Sequence, residues 1–102
     1  MNKNDSFKIL NEIFFIINQR KKKKIKGSYT SKLFKEGNKK IAQKVVEEAS
    51  ELVIDYLKGS KKRTIEEACD LLYHVLVLLS SKNISPNEIK KELEFRLKKY
   101  KQ

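Results

Sequence analysis

Two acidic blocks lie inside the two longest helical stretches of this 102-residue chain, and they limit how those helices can pack. Five of the 13 acidic residues fall in the blocks E-E-A-S-E and E-A-C-D. At ~100° per residue, Glu48 and Glu51 lie ~60° apart on one helix, and so do Glu67 and Asp70 on the next. Each helix therefore presents two carboxylates on one side, a turn apart.

The apolar residues around these carboxylates predict that they face packed protein. On the first of the two helices the apolar positions fill an arc of roughly 120°, and Glu48 lies within ~40° of its edge. Unpaired acids do not persist in a packed interior, and two like charges ~5 Å apart cost ~3 kcal/mol at an effective dielectric of ~20. A divalent cation removes this cost. Ligation by oxygen alone favours Mg²⁺, with Mn²⁺ as the alternative.

The rest of the sequence predicts one all-α domain over residues 1–102, with four main helices and no strand pattern. The first helix is expected to begin at Asp5 or Ser6 and to fade in the basic run at residues 20–26. This helix and the basic run form the N-terminal part of the predicted domain.

Glycines divide the chain after the basic run. Gly27 is expected to break it, a polar segment follows at residues 28–32, and Gly37 breaks it again. The second and third helices are then expected at residues 39–58 and 64–82.

Capping patterns mark the starts of the last two helices. Thr64 is expected to open the third helix, with Glu67 completing a capping box, which would compete with metal binding by the same carboxylate. Glu66 and the helix dipole are expected to cover that helix start instead. Ser85, Pro86 and Glu88 provide the cap, first-turn proline and N3 glutamate of the fourth helix.

The third helix predicts an association between chains. Its residues 75–79 are apolar on all sides, so the helix must be covered on every side. Three partner helices in one small chain barely achieve this, so we expect a homodimer in which these helices form a shared bundle.

Charge and cysteine content restrict the partners and the compartment. The formal net charge of +11 suits anionic partners, namely nucleic acid, a membrane or phosphorylated small molecules. Cys69 is the only cysteine, so a reducing cytoplasm is the expected setting, with Cys69 as a small buried residue. Neither a signal peptide nor a membrane-spanning segment is predicted.

The acidic motifs E-E-x-x-E and E-x-x-D resemble those of the all-α nucleotide pyrophosphatases, the MazG-like superfamily. Residues 27–33, 40–45 and 70–79 are similar to one branch, the phosphoribosyl-ATP pyrophosphohydrolases of histidine biosynthesis. The resemblance covers roughly residues 27–97, in order and with fitting spacing. Val46 stands where that family usually has a glycine.

The resemblance implies an activity and a set of metal ligands. Water would cleave the bond between the α and β phosphates of phosphoribosyl-ATP, releasing phosphoribosyl-AMP and pyrophosphate. The implied Mg²⁺ ligands are Glu48, Glu51, Glu67 and Asp70. Glu47, ~100° from Glu48, is the candidate general base.

Further polar residues are candidates for binding the substrate. Lys44 shares a helical stripe with Glu48 and is expected to contact phosphate; its alternative role is an i,i+4 ion pair worth ~0.2–0.5 kcal/mol. The segment that resembles the family's substrate segment comprises Ser28, Tyr29, Thr30 and Lys32.

His74 lies four residues after Asp70, on the same face. It is expected to orient Asp70, with a simple hydrogen-bonded core histidine as the equal alternative.

Three other functions compete with this one. A housekeeping (d)NTP pyrophosphatase would have the same metal ligands, and only the substrate segment argues against it. A small basic nucleic-acid-binding protein is disfavoured, because the basic run lacks interleaved aromatics and no DNA-reading motif is present. A purely structural helical dimer would leave the buried carboxylates unexplained.

Overall fold

The computed structural model describes residues 5–102 as five helices joined by short connections. In chain order the helices are α1 (Asp5–Lys22), α2 (Tyr29–Glu36), α3 (Asn38–Lys58), α4 (Lys61–Ser81) and α5 (Pro86–Tyr100). This described part contains no strand, so the all-α prediction is confirmed. None of its helices is long and apolar enough to span a membrane. The first four residues of the predicted domain and the predicted capping side chain of Asp5 lie outside what is described.

The polar segment after Gly27 is the main departure from the predicted helices, because it forms the first turn of α2. Ser28 caps this helix by accepting a hydrogen bond from the Ser31 N–H at 3.2 Å. Gly37, with φ of +99°, ends it. This backbone conformation favours glycine, and α2 buries Ser31 and Leu33 between the two glycine breaks. The burial of Ser31 and Leu33 therefore favours a helix in this segment, although the glycines on either side are typical of turns.

The helix α4 begins one turn earlier than predicted. Ser60, not Thr64, is its N-cap, and the Ser60 hydroxyl accepts from the Arg63 N–H at 3.1 Å. The Thr64 hydroxyl instead donates to the Ser60 carbonyl oxygen at 2.9 Å, inside the helix. The prediction of a capping box at Glu67 was therefore wrong, and the Glu67 carboxylate does not cap α4.

The predicted start of α5 is confirmed. The Ser85 hydroxyl accepts from the Glu88 N–H at 3.4 Å, and the Glu88 carboxylate accepts from the Ser85 N–H at 2.9 Å. Pro86 occupies the first turn, where its missing N–H costs nothing.

The ends of α1 and α4 are joined by one member of the basic run. The Lys21 ammonium group donates to the Ser80 carbonyl oxygen at 2.6 Å and to Asn83 Oδ1 at 2.9 Å. Asn83, at φ of +58°, turns the chain away after α4. Part of the basic run thus stabilises the fold.

The core is built mainly where α1, α2, α3 and α4 meet. Its buried apolar residues are Phe14, Ile17, Leu33, Ile41, Leu76 and Val77. Two of these come from the apolar stretch of α4, and the other residues of that stretch are half-buried. Residues 75–79 are therefore largely covered within one chain. The expectation that they need a second subunit for cover was wrong, whereas the homodimer itself stays a prediction.

Exposed apolar side chains occur on several helices, and on α3 some of them share one side. We call four of its residues, which are 56–71% exposed, the outer face of α3: Val46, Val53, Ile54 and Leu57. They recur at helical spacing and line one side of the helix. A shallow groove of about 620 Å³ runs along this side.

Candidate active site

Three predicted ligands converge between α3 and α4. Glu48, Glu67 and Asp70 each place one carboxylate oxygen within 4.8 Å of the other two, and we call them the carboxylate cluster. Glu48 and Glu67 are 7% and 5% exposed, whereas Asp70 is exposed. The cluster is therefore closed on the side of the core and open to solvent on the other.

Two cations of the same chain lie against the cluster. Arg63 Nη2 is 2.5 Å from Glu67 Oε1, and Nη1 is 2.6 Å from Glu66 Oε1. The Lys44 ammonium group is 3.4 Å from a carboxylate oxygen of Glu48 and 3.4 Å from one of Glu47. From the sequence Arg63 is available to bind phosphate, but nothing in its spacing selects it. Its i,i+4 spacing to Glu67 becomes visible once α4 begins at residue 61.

One carboxylate oxygen of the cluster has no partner. Glu67 Oε2 is buried and receives no hydrogen bond from the part of the chain that the structure describes. An unpartnered buried oxygen of this kind is costly, by about 1–3 kcal/mol or more. Three converging carboxylates with an open ligand atom fit a hard divalent cation, which binds oxygen. The cluster can therefore hold a metal ion.

Glu51 lies beside this cluster, exposed at its edge. The nearby Glu48 carboxylate raises the pKa of Glu51 above its usual value, because two like charges oppose each other's ionisation. A bound cation would relieve this repulsion. The role of Glu51 as a fourth ligand stays a prediction.

Glu47 is exposed and is not one of the three converging carboxylates. Its carboxylate accepts a hydrogen bond from the Gln43 amide at 2.7 Å. This bond, with the nearby Lys44 charge, lowers the pKa of Glu47. The lowered pKa keeps Glu47 ionised but makes it a weaker proton acceptor, and its role as general base stays a prediction.

His74 contacts the main chain of Asp70 and not its carboxylate. His74 Nδ1 lies 2.7 Å from the Asp70 carbonyl oxygen, which can only accept. In the neutral ring Nδ1 therefore carries the proton, and Nε2 accepts from the Tyr29 hydroxyl at 3.0 Å. His74 is 7% exposed, so it connects α4 to α2 from within the packed protein.

The predicted substrate segment lies on α2 and at its cap. Tyr29 packs against His74, and the Thr30 hydroxyl hydrogen-bonds the Tyr73 hydroxyl. Burial raises the pKa of Tyr29, although the Lys44 ammonium group opposes this effect. The structure thus brings Tyr29 close to the cluster. The other two members, Ser28 and Lys32, line a groove beside the α2 cap.

Cys69 does not contribute to the core. It was expected to be buried, but it is exposed on α4. At i+2 from Glu67 it points ~160° away from that residue, and this direction leads to solvent in the single chain.

Comparisons with known proteins identify relatives along nearly the whole chain. The family described as phosphoribosyl-ATP pyrophosphohydrolase matches residues 10–96, beginning earlier than the predicted start at residue 27. The phosphoribosyl-ATP pyrophosphatase of Sulfolobus acidocaldarius is 44% identical over 91 residues, which is 89% of this chain and 96% of the relative. That of Clostridium botulinum (strain Kyoto) is 46% identical over 99 residues, covering 97% of this chain and 87% of the relative.

A longer relative shows the same similarity over part of its length. The histidine biosynthesis bifunctional protein HisIE of Caldanaerobacter subterraneus is 47% identical over 95 residues. The aligned region covers 93% of this chain and 46% of the relative.

Proposed function

Because this chain belongs to the phosphoribosyl-ATP pyrophosphohydrolase family, we propose that it hydrolyses phosphoribosyl-ATP to phosphoribosyl-AMP and pyrophosphate in histidine biosynthesis. The observation that carries the proposal is the carboxylate cluster, with its buried and unpartnered Glu67 Oε2. The exposed thiol of Cys69 fits a reducing cytoplasm as the place of action.

Mg²⁺, or Mn²⁺ in its place, is the proposed cofactor. Glu48, Glu67 and Asp70 would hold it, with Glu51 as the fourth ligand. When bound, the ion supplies charge neutralisation for the triphosphate and polarisation of a water molecule. The all-oxygen donor set supports a hard ion over a thiophilic one.

The residues around the cluster would bind the substrate phosphates, accept a proton from water and orient the metal ligands. Lys44 already lies between two carboxylates at 3.4 Å, so its ammonium group is placed to contact a phosphate oxygen at the rim of the cluster. Glu47, an exposed carboxylate 3.4 Å from the Lys44 ammonium group, would accept the proton of the attacking water. Arg63 holds Glu67 Oε1 and leaves Oε2 without a partner, so that Oε2 would be free to bind the ion.

The contacts between α2 and α4 position the substrate segment. The hydrogen bond between Tyr29 and His74 holds the start of α2 against α4 at 3.0 Å. This fixed start supports the proposed role of Ser28, Thr30 and Lys32 in binding phosphate or ribose oxygens.

A homodimer is the proposed assembly. The outer face of α3 exposes four large apolar side chains, and two further ones are about half exposed on α4, at Ile65 and Leu72. A second copy of the same surface would remove them from water, at roughly 25 cal/mol per Å² of apolar area.

Product analysis tests the proposed activity. Purified protein is offered phosphoribosyl-ATP and, separately, a set of dNTPs, each with Mg²⁺ and then with EDTA. We expect pyrophosphate release from phosphoribosyl-ATP that stops with EDTA and far slower release from the dNTPs. Equal or faster release from the dNTPs would instead identify the housekeeping pyrophosphatase.

A further inference from the structure

A groove of about 430 Å³ beside the α2 cap is lined by unpaired cations. We call it the basic groove, and its charged residues are Lys24, Lys26, Lys32 and Lys35. Among residues 5–102, no carboxylate lies within salt-bridge distance of these four ammonium groups. Lys44 and Arg63, by contrast, are each paired with acids at the carboxylate cluster. The positive charge of the basic groove is therefore available to an anion.

The backbone of the basic groove is anchored. The hydroxyl of Ser31, a residue only 5% exposed, accepts from the Ile25 N–H at 3.0 Å and donates to the Arg20 carbonyl oxygen at 3.4 Å. The Ser28 N–H donates to the Ile25 carbonyl oxygen at 3.0 Å, closing a turn in which Gly27 takes φ of +87°. Lysines carried by a fixed turn lose less entropy when they bind a ligand than lysines on a free chain.

The basic groove lies next to the carboxylate cluster along the chain and in space. Ser28 lines the groove, and the following residue, Tyr29, reaches His74 on α4. The charges of Lys44 and Glu48 both act on the Tyr29 hydroxyl. One elongated ligand that passes Tyr29 can therefore contact both sites.

The chemistry of phosphoribosyl-ATP matches this pair of sites. The molecule carries a triphosphate at one end and a single phosphate on the added ribosyl arm at the other. ATP and the dNTPs carry only the first. The carboxylate cluster needs a cation before it can accept phosphate, whereas the basic groove accepts phosphate directly.

We propose that the basic groove binds the phosphate of the phosphoribosyl arm and thereby selects phosphoribosyl-ATP over ordinary nucleoside triphosphates. The inference rests on the proposed function. A phosphate dianion between several ammonium groups gains charge-assisted hydrogen bonds that a neutral ribose cannot form. Lys24, Lys26 and Lys35 are thus specificity-determining residues that join Lys32 of the substrate segment.

A charge-matched pair of variants tests the groove. The groove variant carries Lys24→Gln, Lys26→Gln and Lys35→Gln; the control carries Lys98→Gln, Lys99→Gln and Lys101→Gln near the end of α5. We expect kcat/KM for phosphoribosyl-ATP to fall about tenfold or more in the groove variant, chiefly through KM. The control, which loses the same charge, should change by less than about twofold, after circular dichroism has verified both folds.

Product inhibition tests whether the basic groove contacts the phosphate of the phosphoribosyl arm. In the groove variant the inhibition constant of phosphoribosyl-AMP should rise about tenfold or more, while that of AMP, which lacks the arm, should change by less than about twofold. Equal changes for the two inhibitors, or no change for either, would overturn the groove as the site of the arm phosphate.

A binding measurement without metal separates this inference from the proposed function. Ribose 5-phosphate is titrated into ¹⁵N-labelled protein, with ribose as the uncharged reference. Saturable shifts of the Gly27 and Ser28 amides with ribose 5-phosphate alone, lost in the groove variant, support the groove. If these shifts occur but the wild type does not hydrolyse phosphoribosyl-ATP, the proposed function fails and the phosphate site remains. If the wild type turns over normally and these amides do not shift, the groove fails and the function remains.

Discussion

The inner and outer faces of α3 each carry side chains that are unusual for their position on a helix. The inner face, packed on α4, carries Glu48 at 7% exposure. The outer face of α3 carries Val46 and Ile54 at 66% and 57%. In a helix of a monomeric domain the apolar stripe faces the core and the charges face water. The inner face is therefore suited to the proposed metal ion, and the outer face of α3 to the proposed second chain.

The two requirements differ in kind. A buried carboxylate near two others depends on charge compensation, which a few well-placed atoms can provide. Exposed apolar side chains depend on area, and each contributes about 1.5–3 kcal/mol only when fully covered. The inner face should thus control turnover with little effect on association, and the outer face should do the reverse.

The largest expected effect is on the inner face. Glu48→Gln keeps the shape but removes one charge from the cluster, so we expect kcat/KM to fall by about 1000-fold or more. The dimer should persist in size-exclusion chromatography. Glu94→Gln, on an exposed part of α5, is the control and should be neutral. Near-normal turnover in the Glu48 variant would remove this residue from the metal site.

The rim of the inner face gives the next effect. Glu47→Gln removes the proposed proton acceptor, and general-base loss costs about 100-fold or more in kcat. Stopped-flow measurement of kcat across pH would show the loss without a matching change in KM. If only KM changes, Glu47 binds substrate and another group takes the proton.

The outer face gives an effect on association. Ile54→Asp places a charge where a second apolar surface is expected, so the dimer dissociation constant should rise about 100-fold or more. Phe95→Asp, at an exposed apolar side chain of α5, should leave it unchanged. Analytical ultracentrifugation measures both. A dimer that breaks only in the Phe95 variant would move the interface to α5 and end the comparison of the two faces.

A smaller effect should come from Lys44. In Lys44→Ala one charged contact to substrate is lost, and kcat/KM should fall roughly tenfold. Lys39→Ala, on the exposed first turn of α3, is the matched control. Unchanged kcat/KM would leave Lys44 as a partner of Glu47 and Glu48 only.

The smallest effect should come from Tyr29, which lies over the inner face. Tyr29→Phe removes the hydrogen bond to His74 and should lower the free energy of unfolding by about 1 kcal/mol. We expect KM for phosphoribosyl-ATP to rise about two- to fivefold, because the start of α2 becomes less fixed. Urea unfolding and steady-state kinetics measure these two quantities. An unaltered KM would confine the hydrogen bond to stability.

The sequence predicted the inner face of α3 better than the outer one. Helical spacing fixes the directions of side chains once two helices pack side by side. The sequence could therefore predict that Glu48, Glu67 and Asp70 converge. Which apolar residues stay exposed depends on how all helices share the core, and periodicity does not contain that information. Hence the uncovered surface was expected near residues 75–79, where α1 and α2 in fact contribute to the cover.

Local signals explain the remaining differences. Ser60 and Thr64 are both good caps one turn apart, and propensity alone does not choose between them. Arg63 lies within α4 only if Ser60 is the cap. The i,i+4 pairing of Arg63 with Glu67 was therefore missed when Thr64 was taken as the cap. In α2, the glycines on either side suggested a loop, but Leu33 and Ser31 are buried only if the segment is helical.

The hydrogen bonds of Lys21 distinguish this side chain from the other lysines of the basic run. Its nitrogen donates to two oxygens at the end of α4, and its side chain is less exposed than those of Lys23 and Lys24. An acylating reagent should consume the free amines first and leave the melting temperature almost intact. Acylation of Lys21 should then lower the melting temperature, because the two hydrogen bonds that join the ends of α1 and α4 are lost.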